Sequence, residues 1–139
     1  MVVHNFYVFS RSGTCLYYAE WNRERNPLKD NMEEDHRLMF GLVFSLQNFV
    51  QKLSANGANG DGFRSYRTSS YTLNYFESPS GVRFVLNTDA NTSVLRSTLM
   101  HIYANIYVPH VVRNPLCKLN QPIKAKQFEI ALAEYVSNL

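Results

Sequence analysis

Cysteine is nearly absent from this chain of 139 residues: Cys15 and Cys117 stand alone in apolar surroundings, too few for the disulfide framework of a small secreted protein. Both are expected to remain thiols. Long apolar runs are missing as well, and no stretch reaches the ~20 residues that a bilayer-crossing helix needs. The N-terminus enters Val2-Val3-His4-Asn5 without a basic segment followed by an apolar one, so no signal peptide is expected. Position 2 is valine and there is no terminal cysteine box, which removes the usual lipid-anchor motifs. Charge is sparse, 18% of residues, and almost balanced at a formal +3. That sign permits acidic partners without defining a nucleic-acid binder, and so little charge points to surface that is covered in use.

Reactive constellations are missing too. Asn56-Gly57, Asn59-Gly60 and Asp61-Gly62 make a breaker-rich loop, but the glycine-lysine-serine or glycine-lysine-threonine ending of a phosphate cradle is absent. His4, His36, His101 and His110 have no metal-ligand spacing with the two cysteines, and none lies in a nucleophile–base–acid motif. Neither a metal nor a cofactor is expected. Tyr71, Tyr75 and Phe76 imitate a base-stacking platform but lack a basic track, so nucleic acid is not an expected partner. Asn91-Thr92-Ser93 matches a glycosylation sequon and reads better as turn and cap chemistry. Glu33, Glu34 and Asp35 suit the first turn of a helix rather than a catalytic carboxylate pair.

What is present is aromatic and patterned, with 9 Tyr, 9 Phe and 1 Trp within a 45% apolar chain, enough for one ordered domain over residues 1–139. Val3 to Phe9 reads as a strand with apolar groups on both faces, Ser12-Gly13 as a turn, and Cys15 to Trp21 as its hairpin partner. Asn31 and Glu34 stand at capping-box spacing. After them Met39, Leu42, Val43, Leu46, Phe49, Val50 and Leu53 form the stripe of the longest helix, with Phe40 and Phe44 at its margin. Three more strands fit Phe63 to Arg67, Tyr71 to Glu77 and Val82 to Asn87, the last two joined by Pro79-Ser80-Gly81. Tyr71, Leu73 and Tyr75 share one face of their strand and Val82, Phe84 and Leu86 one face of theirs, which predicts a sheet core built on one side. Asp89 or Asn91 caps a second helix carrying Leu95, Leu99, Ile102, Tyr103 and Ile106, which Pro109 is expected to end or bend. Asn114 to Cys117 is irregular, and a last helix is predicted from about Pro122 through Phe128, Leu132 and Val136. The fold class is α/β (α+β): a five-stranded antiparallel sheet in the order β-β-α-β-β-β-α-α with helices on both faces.

Along this order, Val3-His4-Asn5-Phe6-Tyr7-Val8-Phe9, Arg11, Gly13, Cys15-Leu16 and Glu20-Trp21 resemble the opening of the transport protein particle (TRAPP) subunit one family, its smallest longin-like core subunit. Leu38-Met39-Phe40-Gly41, Phe44-Ser45, Phe49-Val50 and Lys52 are similar to its first helix. Tyr71, Leu73, Tyr75-Phe76-Glu77, Pro79, Gly81 and Asn87-Thr88-Asp89 resemble its meander, and Asn114-Pro115-Leu116-Cys117 extends the likeness. The resemblance weakens around Asn56 to Gly60 and over the last helix. It implies a longin-like (SNARE-like) fold and a cytoplasmic protein, peripheral at cis-Golgi and endoplasmic reticulum. It implies a noncatalytic core subunit of a tethering complex that, once assembled, exchanges guanine nucleotide on a Rab-family GTPase. Expected partners are the other core subunits, both longin-like and palmitoylated-type, with membrane association mainly indirect. The alternative is a longin-type trafficking adaptor or SNARE regulator outside TRAPP, although these 139 residues hold no SNARE-length heptad region.

For contact residues, large aromatics are the first candidates, because hot spots favour them: Trp21, Phe40, Phe44 and Tyr107, with ordinary core placement the alternative for each. Arg113 and Lys118 join them as the start of a basic run that continues through Lys124 and Lys126 without an intervening acid. Solvent, an acidic partner and a membrane surface are all open for that run, the membrane being disfavoured by the modest number of charges.

Overall fold

The computed structural model describes residues 3–21, 32–53, 65–69, 71–90, 96–118 and 121–138. Asn31, the loop at 54–62, Asn91 and Leu95 lie outside them, as do the side chains of Phe49, Val50 and Leu53. Five strands form one antiparallel sheet: β1 (Val3–Phe9), β2 (Cys15–Glu20), β3 (Ser65–Arg67), β4 (Thr72–Glu77) and β5 (Arg83–Thr88), ordered β2-β1-β5-β4-β3. The strand read as doubly covered, β1, is buried on both faces, flanked by β2 and β5.

Two hairpins are closed by one device. Ser10-Arg11-Ser12-Gly13 and Ser78-Pro79-Ser80-Gly81 share the pattern Ser-x-Ser-Gly. In each, the first serine hydroxyl accepts the N–H of the residue after the glycine at 3.1 Å and meets the second serine hydroxyl at 2.9 Å. In each the glycine has positive φ, +97° at Gly13 and +91° at Gly81. Because Phe9 pairs with Arg83, the two turns lie side by side at one end of the sheet. They differ in their surroundings. A Cβ at Gly13 would sit 2.9 Å from the Phe40 ring, whereas at Gly81 it would meet only the flexible stem of Arg11 at 3.1 Å. Gly13→Ala is therefore expected to lose more than the ~1–2 kcal/mol of left-handed backbone strain, and Gly81→Ala close to that strain alone. Urea denaturation of the two variants checks the order.

Register then sorts the side chains into two layers. Tyr75 pairs with Val85 and Phe76 with Phe84, so the sets Tyr71/Leu73/Tyr75 and Val82/Phe84/Leu86 face opposite ways. The expectation of a core on one side is corrected by this pairing: strand alternation identifies which residues go together but not which face they share with the neighbour. One layer holds Tyr7, Phe9, Leu73, Tyr75 and Val85 under α1 (Met32–Leu53), which contributes Val43, Met39, Leu42 and Leu46. The other holds Phe6, Val8, Phe84 and Leu86 under the C-terminal helices.

Those helices depart from expectation in two places. Of the two effects expected of Pro109, ending the helix is overturned: α2 (Arg96–His101) continues as a π-wound stretch, Ile102–Val112, with the proline inside it. In an α-helix the proline ring collides with the carbonyl four residues back, and the wider π turn relieves that collision. The wider turn also sets the buried side: Ile102, Ile106, Tyr107 and Val111 recur every four to five residues and all are enclosed. The last helix, α3 (Lys126–Ser137), begins four residues later than predicted. Ahead of it Ala125 is extended, and the Ile123 N–H donates to the Leu16 carbonyl at 2.8 Å, tying that segment to β2.

Candidate partner-binding surface

The face of α1 turned from the sheet carries apolar groups that the fold leaves uncovered. Leu38 is 57% exposed and Phe44 49%, with exposed Gly41 and Ser45 between and beside them at helical spacing. A Cβ at Gly41 would touch nothing, so this glycine leaves a shallow, open place between two large side chains. Phe44 is held in position rather than loose. Its ring stacks on Phe40 at 6.2 Å, Phe40 meets Phe9 edge-on at 5.5 Å, and the Arg83 guanidinium lies 5.3 Å over the Phe40 ring. Arg83 is itself near Glu77 at 3.8 Å. A chain of ring contacts therefore runs from the buried β1 strand to an exposed aromatic, which lowers the entropy a partner must remove on binding.

The six contact candidates do not converge. Phe40 and Phe44 meet on α1. Trp21 sits half-buried just past the end of β2, packed against the opposite layer, with its backbone N–H donating to the His4 carbonyl at 2.9 Å. Tyr107 is only 4% exposed, enclosed by Phe84 and Phe128, and offers a partner almost no surface. It is a core residue, and its place among the contact candidates is corrected. Arg113 and Lys118 are exposed beyond the π-wound stretch, on the far side of the sheet from Phe44. Leu38 was missed by pattern reading: four residues before Leu42, it falls at the edge of the apolar stripe, where sequence alone does not say whether the fold covers it.

Beneath the start of α1 the layer is polar. The Tyr7 hydroxyl donates to Asp35 at 2.8 Å, and Asp35 is buried, so one carboxylate of the expected helix start faces the sheet. His36 packs edge-on against Tyr7 at 5.7 Å and lies 4.9 Å from Tyr18. Among the described residues, no group of three or more His, Cys, Asp or Glu is placed to hold a metal ion. Cys15 is held at this layer, its thiol donating to the Tyr17 carbonyl at 3.4 Å. Burial pushes that thiol up to about 12 from 9.0, and the nearby Asp35 adds to the rise. The consequence is slow alkylation: at pH 9 the native protein should react with iodoacetamide at Cys15 several-hundredfold more slowly, roughly, than an ordinary thiol. Urea should restore the normal rate. The sign of the linkage follows, since the folded state keeps a proton that the unfolded chain releases. The contribution is full below about pH 9 and is lost as pH rises toward 12. Tyr75, also pushed up to about 12 by burial, acts in the same direction.

A five-stranded antiparallel sheet between one long helix and a C-terminal helical pair is a longin-like fold, here with exposed apolar side chains on its helices. The chain belongs to the Sybindin-like family, whose profile matches residues 3–139. It is 44% identical to trafficking protein particle complex subunit 1 of Rattus norvegicus, covering 100% of this chain and 94% of the rat protein. The subunit of the same name in Dictyostelium discoideum is 34% identical, over 99% of this chain and 96% of that one. Transport protein particle subunit bet5 of Schizosaccharomyces pombe is 33% identical, over 100% and 98% respectively.

Proposed function

We propose that this chain is a structural core subunit of a trafficking protein particle complex, acting as one domain over residues 1–139. The observation that carries the reading is end-to-end likeness to subunit 1 proteins, 44% identity with 100% of this chain and 94% of the rat relative covered. Alone it is noncatalytic. Within the assembly it contributes to a guanine-nucleotide exchange factor for a Rab-family GTPase in endoplasmic reticulum to Golgi transport, as a cytoplasmic protein whose membrane association is mainly indirect.

Exchange needs no bond-making group on this chain. A complex that holds the nucleotide-free GTPase more tightly than the nucleotide-bound form opens the nucleotide site by differential binding alone. The subunit's part is to present fixed faces, and the Leu38/Phe44 face of α1 is the one we assign to a neighbouring core subunit. Its apolar side chains are anchored through Phe40 to the sheet. Release of a fluorescent guanine nucleotide from the GTPase tests the division of labour. The isolated chain should leave release at its spontaneous rate, a core lacking it should be impaired, and adding it back should restore acceleration. Strong exchange by the chain alone, or an unimpaired core without it, overturns the proposal.

A further inference from the structure

Between Asp89 and Glu129 the chain has no acidic residue, while Arg113, Lys118, Lys124 and Lys126 fall in that interval and all four are exposed. The fold gathers them on the helical-pair side. Val111, Cys117 and Ile123 pack into one apolar layer, and Tyr107 meets Phe128 with ring centroids 6.4 Å apart. The middle of the π-wound stretch thus lies against the first turn of α3, which begins at Lys126. Between Arg113 and Lys118 in the chain stands Leu116, 89% exposed, with Val112 at 51% just ahead of them. Leu116 is held out by structure. Its N–H donates to Asn114 Oδ1 at 2.9 Å, and the Cys117 N–H donates to the Asn114 carbonyl at 3.0 Å while Cys117 packs inward.

We propose that this turn, aliphatic at its tip and basic around it, contacts an anionic lipid surface. Its composition separates that occupant from an acidic protein. Protein interfaces enrich Tyr, Trp and Arg and deplete Lys, whereas here three of the four cations are lysines and the apolar groups are a leucine and a valine. Lysine is a compact point charge on a flexible stem, suited to a diffuse layer of headgroups rather than to fixed carboxylate geometry. A side chain as exposed as Leu116 is a projection, and a projection enters a soft interface more readily than it fills a partner's groove. The contact is weak by itself and adds to recruitment that runs mainly through the complex, where several such contacts multiply.

The test uses the full chain with phosphatidylcholine vesicles, with and without phosphatidylserine, in a flotation assay. The chain should float only with the anionic vesicles, and less as salt is raised, because screening shortens the reach of its charges. Lys124→Glu with Lys126→Glu should lower partitioning at least about tenfold, and Leu116→Gln severalfold, with circular dichroism unchanged. Arg113→Glu with Lys118→Glu serves as the second variant if the first pair disturbs α3. Equal partitioning into neutral vesicles, no partitioning, or indifference to both charge reversals overturns the inference. So does capture by soluble polyglutamate without vesicle binding, which would make an acidic polypeptide the occupant. Nucleotide exchange by a core carrying the reversed residues is read separately, so that loss of lipid contact and failure of the proposed exchange role remain distinguishable.

Discussion

Replacing Phe84 by alanine is expected to destabilise the protein by about 3–5 kcal/mol, a large share of the stability of a domain this size. The ring is fully enclosed on β5 and meets four others: Tyr107 at 5.2 Å, Tyr103 at 5.9 Å, Phe76 at 6.1 Å and Phe6 at 6.2 Å. Those neighbours come from β1, β4 and the π-wound stretch, so no single element can move inward to close the space. The lost transfer energy and the remaining cavity add together. Urea denaturation reads the loss, and Ile130→Ala, on the exposed side of α3, is the comparison expected to stay within about 0.5 kcal/mol of the parent. A Phe84→Ala protein as stable as the parent would show that this layer is not the core.

The second large effect is on assembly rather than folding. Leu38→Asp with Phe44→Asp should weaken association with a neighbouring core subunit by about thirtyfold or more, the scale of a hot-spot loss near 2 kcal/mol. Leu38 is 57% exposed and Phe44 49%, so the melting temperature should fall less than it does in Phe40→Ala. Phe40→Ala makes the contrast, since Phe40 packs on Phe9 and lies against Gly13; it should lower stability and association together. Analytical ultracentrifugation with the reconstituted partner separates the two. Undiminished association of the doubly charged variant would move the interface away from α1.

The elements were largely legible in the sequence, and the surfaces were only partly so. The apolar groups on both faces of Val3 to Phe9 marked a strand covered twice, and the helical stripe from Met39 marked α1. Glycine turns at Gly13 and Gly81 were legible one at a time, but their shared Ser-x-Ser-Gly hydrogen bonding emerges only when the two hairpins are laid side by side. Of the two effects expected of Pro109, ending the helix failed because it presumes α-helical winding, and nothing local announces the π turn that accommodates the ring. Tyr107 was open between contact and core by residue type, and it is consumed by the core.

By itself the sequence determined the strands, the long helix and the family, because backbone preference and side-chain periodicity are local properties carried residue by residue. Tertiary structure alone decided which layer each strand face joins, that Tyr107 is enclosed, and that Leu38, Phe44 and Leu116 are left outside. Burial is a sum over neighbours far away in the chain. The pairing of β5 beside β1 and the rotation of each helix over the sheet set that sum, and no window of sequence contains either one.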